Sequence, residues 1–421
     1  MHKTICKIIT FIAATLLAYN ASAEMKNFSY KDGKVNYTLT QPDNVTIQLF
    51  SQDGEFVTTL FAGEQKKEGE YSFNWSGKDA EGKLVKKGGY ILKAGVGRKA
   101  AKDAKFAKEG FIQLGNPFDI KADKNGDLYI LANAIPEKAD GKETGKIIKP
   151  AGIYKFKGDG TPINDFYPSE TNFLGIPNGR HRWLALDDKN IFCSQGYFVL
   201  VMEKTGRIIL SVGELTTKDE DYKNRGMDAS QGGGAIGADN KIYILQDAGH
   251  QIRVFNRTLR DGFLFSTTPA VLPGSMATPS MTSDGKNRLY RAENKMVSRY
   301  DDTGTKIVFR YQKNIDGSLI GIALSKDMLY VVDRSPASRI YQLWENGESL
   351  LPVFSFGDDA IKGLRAVAVS PDGKSLYLLE DGDDYFGKGF VNGQGRLFKY
   401  DLGYAQELQE KVTVAGEPIN E

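Results

Sequence analysis

The sequence predicts an all-β protein in which a two-sheet β-sandwich precedes a six-bladed β-propeller. Over residues 24–97, alternating strands bounded by glycine turns recur at roughly 10-residue spacing, which is typical of a sandwich. Over residues 112–403, a unit of four strands recurs six times, which is the pattern of a propeller. Glycine supplies 46 of the 421 residues, as many tight turns require.

Composition excludes several classes of protein. The chain has 55 Lys+Arg against 53 Asp+Glu, whereas a protein that holds nucleic acid by bulk electrostatics carries a clear basic excess. Two cysteines exclude a disulfide scaffold and any Cys-rich zinc or iron–sulfur site, and three histidines make a multi-His metal centre hard to build. We therefore expect no nucleic-acid partner and no cofactor.

The N-terminus has the features of a secretory signal over residues 1–23. Lys3 and Lys7 flank the start of a short apolar run at 8–17, and Ala21-Ser22-Ala23 supplies a small-residue cleavage site. This run is too short to span a bilayer, and no later run reaches ~18 apolar residues. We expect cleavage near Ala23 and a secreted or periplasmic protein without a transmembrane segment. A buried N-terminal helix is the alternative.

The strands of the sandwich alternate apolar and polar residues. Trp75 lies in one of them, so we expect its ring to lie in the sandwich core and not to form a ligand platform. Strands are expected at 35–39, 45–50, 56–60, 69–75 and 89–94, with turns at 52–55 and 79–82.

One set of residues in this region is fairly specific. Trp75, Gly77, Asp79, Gly82 and the run Gly88-Gly89-Tyr90 resemble the immunoglobulin-like domain of the flagellar hook-capping family, over about 70 residues. The resemblance implies an immunoglobulin-like β-sandwich that serves as an accessory domain of an exported protein. It does not imply a flagellar role, because the other segments of the hook-capping protein are absent.

The repeated unit of residues 112–403 carries one cue, an aliphatic residue followed by an aromatic one within a short strand. One unit cannot bury both faces of its sheet, so the six units must pack side by side around a channel. Residues 98–111 are expected to be a linker, and residues 404–421 a C-terminal tail. The cue appears at Leu128-Tyr129, Ile191-Phe192, Ile242-Tyr243, Leu289-Tyr290, Leu329-Tyr330 and Leu376-Tyr377.

The last unit lacks an evident fourth strand after Tyr400. We expect a terminal segment to complete it, either residues near 106–113 or Val412-Thr413-Val414. The repeats resemble the NHL six-bladed propeller family over about 290 residues, on the motifs Val331-Val332-Asp333, Ser338-Arg339-Ile340 and 246–255. This resemblance implies the architecture and leaves the chemistry open.

Long insertions fall on one side of the expected ring. Residues 132–152 and 380–396 join the second strand of a unit to the third, and residues 214–232 join one unit to the next, whereas most other connections are short. In an up-and-down unit of four strands, these insertions lie at the end where the innermost strand starts. We call this the elaborated end and expect the binding site there, because loops on a rigid scaffold carry binding residues.

The starts of the innermost strands and the 380–396 insertion supply the candidate ligand-binding residues. Arg180, Arg182 and Arg365 are expected to form a cationic mouth for a carboxylate or sulfate group. Alternatively, these arginines pair with acidic residues such as Asp119 or Asp383 and brace the ring. The full candidate set is Asn116, Asp119, Asn178, Arg180, His181, Arg182, Trp183, Arg365, Asp381 and Asp384.

Resemblance to propeller enzymes raises two metal hypotheses. NHL-like lyases place several histidines on a channel zinc, and the mature chain would retain only His181 and His250. Lactonase-type propellers hold a divalent cation with acidic and amide groups, and Asn116, Asp119 and Asn178 resemble that set for calcium. We assign no catalytic residue and no metal ligand, and retain calcium as an alternative.

Two functional hypotheses follow. The leading one is an exported non-catalytic binding or scaffold protein whose elaborated end engages a protein or glycan. The other is a metal-assisted hydrolase or lyase at the channel mouth. The sequence contains no Gly-x-Ser-x-Gly nucleophile motif, and no Ser-His-Asp order stands out in it, which favours the binding role.

Overall fold

The computed structural model describes a chain that is mostly strand. Among the residues it describes, no helix is both long and apolar enough to cross a membrane. The described residues are 23–65, 67–79, 82–104, 106, 116–133, 135–139, 142–149, 152–163, 183–195, 198–212, 233–237, 241–246, 251–256, 266–269, 280–284, 288–293, 295–300, 307–312, 319–334, 338–347, 349–358, 361, 363–380 and 395–415.

The chain forms two compact units. The first, called the sandwich unit, consists of Met1–Lys99 with Gly403–Glu421. The second, called the ring unit, is Ala100–Leu402.

The sandwich unit contains two antiparallel sheets. The first has the strand order β1-β2-β5, and the second has the order β30-β6-β3-β4. The strands are β1 (Met25–Lys31), β2 (Lys34–Leu39), β3 (Asp43–Ser51), β4 (Phe56–Gln65), β5 (Gly69–Asn74), β6 (Gly88–Lys102) and β30 (Arg396–Val414).

The core of the sandwich unit forms because alternate apolar side chains of both sheets point inward. Val35, Tyr37 and Leu39 of β2 are buried in this way, and Tyr37 stacks on Tyr71 with ring centroids 5.1 Å apart. Trp75 packs at the edge of the same core, as expected, and donates its indole N–H to a backbone carbonyl at 2.9 Å. The expected immunoglobulin-like sandwich is therefore confirmed.

The described strands of the ring unit form six antiparallel sheets, called blades 1 to 6 in chain order. Blade 1 contains β7 (Asn116–Ala122), β8 (Leu128–Asn133) and β11 (Gly152–Phe156). Its insertion forms a separate hairpin of β9 (Ile135–Ala139) and β10 (Lys142–Lys149). Blade 2 contains β12 (Leu184–Leu186), β13 (Asn190–Gln195), β14 (Phe198–Glu203) and β15 (Ile208–Val212). Blade 3 contains β16 (Gly233–Ile236), β17 (Lys241–Gln246), β18 (Gln251–Asn256) and β19 (Ser266–Pro269).

The other three blades follow the same order. Blade 4 contains β20 (Ser280–Ser283), β21 (Leu289–Glu293), β22 (Met296–Tyr300) and β23 (Ile307–Gln312). Blade 5 contains β24 (Leu319–Ser325), β25 (Met328–Asp333), β26 (Arg339–Glu345) and β27 (Leu350–Gly357). Blade 6 begins with β28 (Leu364–Val369) and β29 (Ser375–Glu380).

The innermost strands of the six blades form a closed circle. Each of β7, β12, β16, β20, β24 and β28 contacts its counterparts in the two neighbouring blades, and β28 contacts β7. This circle is the expected β-propeller.

Blade 6 is completed in a way that the sequence did not predict. Its third strand is the first part of β30, and the end of β6 lies next to it, where the Asp103 N–H donates to the Lys399 carbonyl at 2.9 Å. Lys102 also forms an ion pair with Asp358 of blade 5 at 2.7 Å. Residues 98–102, expected to be linker, are therefore strand, and they lie beside β30.

Of the two segments expected to close the ring, residues 107–113 lie outside the described residues, and Phe106 packs with Tyr377 in the ring core. Val412 and Val414 are buried in the sandwich core, because β30 does not end near Tyr400 but continues its alternation through Val414. The expected tail at 404–421 is thus a sandwich strand over much of its length.

The aliphatic–aromatic cue marks the second strand of every blade. The aromatic members are at most 3% exposed. Two of them bond to the following blade: Tyr377 donates to the Gly158 carbonyl at 2.9 Å, and Tyr290 bonds to the Glu345 carboxylate. The cue recurs because each blade needs a large side chain to fill the space against its neighbours.

Candidate functional site

The structure describes the side chains of three of the ten candidate residues, Asp119, Trp183 and Arg365. Asn116 is the first residue of β7. The other six lie outside the described residues: Asn178, Arg180, His181, Arg182, Asp381 and Asp384.

Asp119 joins blade 1 to blade 2. One carboxylate oxygen accepts the backbone N–H of Leu184 in β12 at 2.8 Å. The other accepts the N–H of Ile120 at 2.9 Å and contacts the Lys121 ammonium at 2.8 Å. These contacts are those of a bracing residue, and an ammonium beside the carboxylate does not fit a calcium ligand.

Trp183 lies immediately before β12 and is 1% exposed. Its backbone exchanges hydrogen bonds with Ser194, and its indole lies against Gly234 of β16 so closely that a methyl group there would overlap it. In this arrangement the side chain packs blade 2 against blade 3 and has almost no surface for a ligand.

Arg365, near the start of β28, is a half-buried residue. Its guanidinium carbon lies 4.2 Å from the ring centroid of Phe118 in β7, a cation–π contact between blades 6 and 1. This stacking orients the cation.

Strand register shows that the chain enters the insertions of blades 1 and 6 at the end where the innermost strands start. Asn116, the first residue of β7, pairs with Asn133, and Ile135 begins the hairpin directly afterwards. Leu364, the first residue of β28, pairs with Glu380, directly before the insertion of blade 6. Arg365 therefore lies at the end that carries both insertions.

A cavity of about 730 Å³ lies at the opposite end of the channel, where the innermost strands enter short turns. Its wall combines small apolar side chains, such as Ala185, Ala235 and Ala323, with Lys121 and Thr282. Loop length does not reveal this cavity. Its sequence signal is a small residue opposite the aromatic residue of the cue, which recurs in five of the six innermost strands.

The carboxylates at the mouth of this cavity are engaged in its turns. Asp123 accepts the N–H groups of Asn125 and Asp127 and contacts the Lys204 ammonium at 3.2 Å. Asp187 accepts the N–H groups that follow it, and Asp284 accepts from Arg288. These bonds are those of turn-stabilising residues.

A buried ionic cluster joins blades 4 and 5. Arg288 contacts Asp327 at 3.1 Å, and Glu345 bonds to Tyr290 and lies 3.4 Å from Arg299. Burial raises the pKa of Glu345, and burial together with Glu345 raises the pKa of Tyr290. The cluster lies between sheets, so its chemistry concerns cohesion of the ring.

The chain segments with a described structure contain no group of three or more His, Cys, Asp or Glu arranged to hold a metal ion.

Residues 22–99 match the FlgD Ig-like domain. This FlgD Ig-like domain coincides with the N-terminal part of the sandwich unit and with the region of the hook-capping resemblance. No curated protein matches the chain.

Several solved structures are similar to the chain. A structural-genomics protein of unknown function from Bacteroides thetaiotaomicron VPI-5482 has a TM-score of 0.48 at 12% identity, over 91% of this chain and 98% of that one. A luciferin-regenerating enzyme has a TM-score of 0.46 at 11% identity, over 73% of this chain and 97% of its own. Streptogramin B lyase has a TM-score of 0.41 at 13% identity, over 72% and 98%. The assignment of a propeller to this chain rests on its own closed circle of sheets.

Proposed function

We propose that the protein is an exported, non-catalytic binding or scaffold protein whose elaborated end engages a protein or glycan partner. The observation that carries this proposal is strand register. The chain enters the insertions of blades 1 and 6 after Asn133 and Glu380, which pair with the first residues of β7 and β28 on a closed ring. Extended loops on a rigid scaffold form a surface large enough for a macromolecular partner.

Arg365 gives this surface its chemistry. Its guanidinium is oriented by Phe118. Guanidinium groups form paired hydrogen bonds with carboxylate and sulfate groups, which is why we assign an anionic partner to this surface. Arg180 and Arg182 belong to the segment before β12 and would add two further guanidinium groups. An acidic protein surface or an anionic glycan is the partner that fits such a site.

The described acidic groups support binding in preference to hydrolysis. Asp119, Asp123, Asp187 and Asp284 each accept hydrogen bonds from the backbone of their own blade or the next one. Carboxylates held in this way stabilise turns and blade contacts. The FlgD Ig-like domain would serve as a spacer or docking module, and residues 1–23 would direct export.

Comparison of two triple variants tests the binding surface. Replacement of Arg180, Arg182 and Arg365 by Ala should abolish recovery of the partner in pull-downs from the exporting cell, and binding to anionic glycans on an array. The matched control replaces three basic turn residues at the opposite end, Lys124, Lys189 and Lys374. If the arginine variant folds and binds as the control does, the proposed surface is wrong.

The hydrolase or lyase hypothesis is tested on the same preparation. Elemental analysis of the purified protein and thermal shift with calcium or zinc would detect a bound divalent ion. A stoichiometric ion, or stabilisation by several degrees, would favour the enzyme and count against the binding proposal. Sequencing of the exported protein from its N-terminus should begin near Glu24.

A further inference from the structure

We propose that the cavity at the short-turn end of the channel is a separate binding site for a small organic anion with an apolar body, and that Lys121 anchors its charge. The volume of about 730 Å³ lies within the roughly 300–1,000 Å³ typical of small-molecule sites. The cavity is at the other end of the ring from Arg365, so this proposal does not depend on the proposed function.

Strand register defines one level of the cavity wall. In each blade, one residue of the innermost strand pairs with the aromatic residue of the cue. Five of these positions carry small side chains, and blade 1 carries Lys121. The six residues are Lys121, Ala185, Ala235, Thr282, Ala323 and Ala368.

Lys121 brings a positive charge to this level. Its side chain is 16% exposed, and its ammonium lies 2.8 Å from an Asp119 oxygen. Asp119 also accepts two backbone N–H groups, which fix the carboxylate and thereby the ammonium. An ammonium has three N–H donors and Asp119 takes one, so donors remain for an anion in the cavity.

The rest of this level selects the body of the ligand. Ala185, Ala235, Ala323 and Ala368 are small, which leaves room at this level for the body of a ligand. The half-buried residues Leu186, Ile236 and Leu324 also line the cavity and favour an apolar framework. Thr282 belongs to blade 4, three blades away from Lys121, and so lies across the channel from it. A molecule that fits has an anionic group at one end, an apolar middle and room for a hydroxyl contact at the other.

Other charges near the mouth do not present a competing anion site. Asp123 lies 3.2 Å from Lys204, Asp188 lies 3.2 Å from Lys124, and Asp284 lies 2.8 Å from Arg288. Each mouth carboxylate in these pairs has its own cation. Lys124 and Lys189 also line the cavity, but both are exposed, which makes their contact with an anion weak.

Two fluorescent probes that differ by one charged group test the site. 8-Anilinonaphthalene-1-sulfonate is an anion, and N-phenyl-1-naphthylamine is its neutral counterpart. We expect the purified protein to bind one equivalent of the anionic probe. Lys121→Met should weaken that binding by about 10-fold or more, because a charge-assisted hydrogen bond is lost, while binding of the neutral probe changes by less than about 3-fold. Lys124→Met is the matched control and should leave both affinities unchanged.

Two further measurements keep the proposal open to refutation. Ala323→Phe, which fills the cavity, should abolish binding of both probes. Acetylation of the unmodified protein, read by peptide mass spectrometry, should be slowed by the anionic probe at Lys121 and not at Lys124, and this readout needs no variant to fold. Equal loss of both probes in Lys121→Met, an unaffected Ala323→Phe variant, or unchanged acetylation of Lys121 would overturn the proposal.

Discussion

The contact between Gly234 and Trp183 gives the most direct test of how neighbouring blades fit together. Gly234 lies in β16 of blade 3, and Trp183 lies just before β12 of blade 2. A Cβ atom built on Gly234 would lie 2.5 Å from two carbons of the indole, whereas real Cβ atoms essentially never come within 3.0 Å of another group. Gly234→Ala should therefore push these two blades apart.

The expected cost follows from this overlap. Carbon atoms pack best at about 3.5–4.0 Å, so about 1 Å of displacement is required from a ring that is itself buried. Overpacking of a core typically costs about 1–3 kcal/mol. Alanine also lowers the conformational entropy of the unfolded chain, which stabilises the folded protein by about 0.4–1 kcal/mol. We expect a net destabilisation of about 1–2 kcal/mol.

Thermal unfolding of residues 24–421, followed by circular dichroism, measures this effect. Each kcal/mol lowers the Tm by about 2–4 °C in domains of 150–250 residues, and by less in a larger unit. Gly152→Ala in β11 is the matched control, because the nearest atom to its Cβ, on Tyr154, is at 4.0 Å. If Gly234→Ala is as stable as this control, the reasoning fails. It also fails if the double variant of Gly234→Ala and Trp183→Leu loses as much stability as the two single variants together. Removal of the indole should relieve the overlap, so the loss in the double variant should be smaller than that sum.

Three further predictions concern buried groups. Cys193 is fully buried, and burial raises the pKa of its thiol to about 12, so 5,5′-dithiobis(2-nitrobenzoate) at pH 8 should modify it in guanidinium chloride and not in the native protein. Burial raises the pKa of Glu345 above its usual 4.5. The contribution of this carboxyl group to stability is therefore full below that pH and is lost as the pH rises through the raised pKa. Melting curves at increasing pH should show Glu345→Gln gaining stability relative to the wild type. Lys102→Met should lower the free energy of unfolding by about 1–2 kcal/mol, because the 2.7 Å contact with Asp358 is partly buried. The control is Lys26→Met, which removes an ion pair with Glu24 whose side chains are 55% exposed, and it should change the free energy of unfolding by less than about 0.5 kcal/mol.

The sequence was most informative where a pattern repeats. The aliphatic–aromatic cue located the second strand of each blade, and register confirms that Tyr129, Phe192 and Tyr377 occupy equivalent positions. The specific glycines and Trp75 located the sandwich. Periodic patterns succeed because each one reports which face of a strand is buried, and burial is a local property of that strand.

The candidate site was less accessible to such reasoning. Trp183 lies at the start of an innermost strand as expected, whereas Asp119 lies in the middle of β7. A carboxylate can either bind a ligand or brace a neighbouring strand. The choice depends on whether a backbone N–H of another blade is within reach, as that of Leu184 is for Asp119. Likewise, sequence spacing does not reveal that an indole lies against Gly234.

By itself, the sequence determined the two β architectures, the cue in each blade and the segments that carry long insertions, because these follow from alternation and turn chemistry along the chain. Tertiary structure alone decided that residues up to Lys102 complete blade 6, that β30 continues into the sandwich core, and that Lys121 lines a cavity of small residues. These features depend on pairings between residues far apart in the chain. Strand propensity fixes that a segment will pair, whereas the partner is chosen by which buried surfaces fit together once the ring has closed.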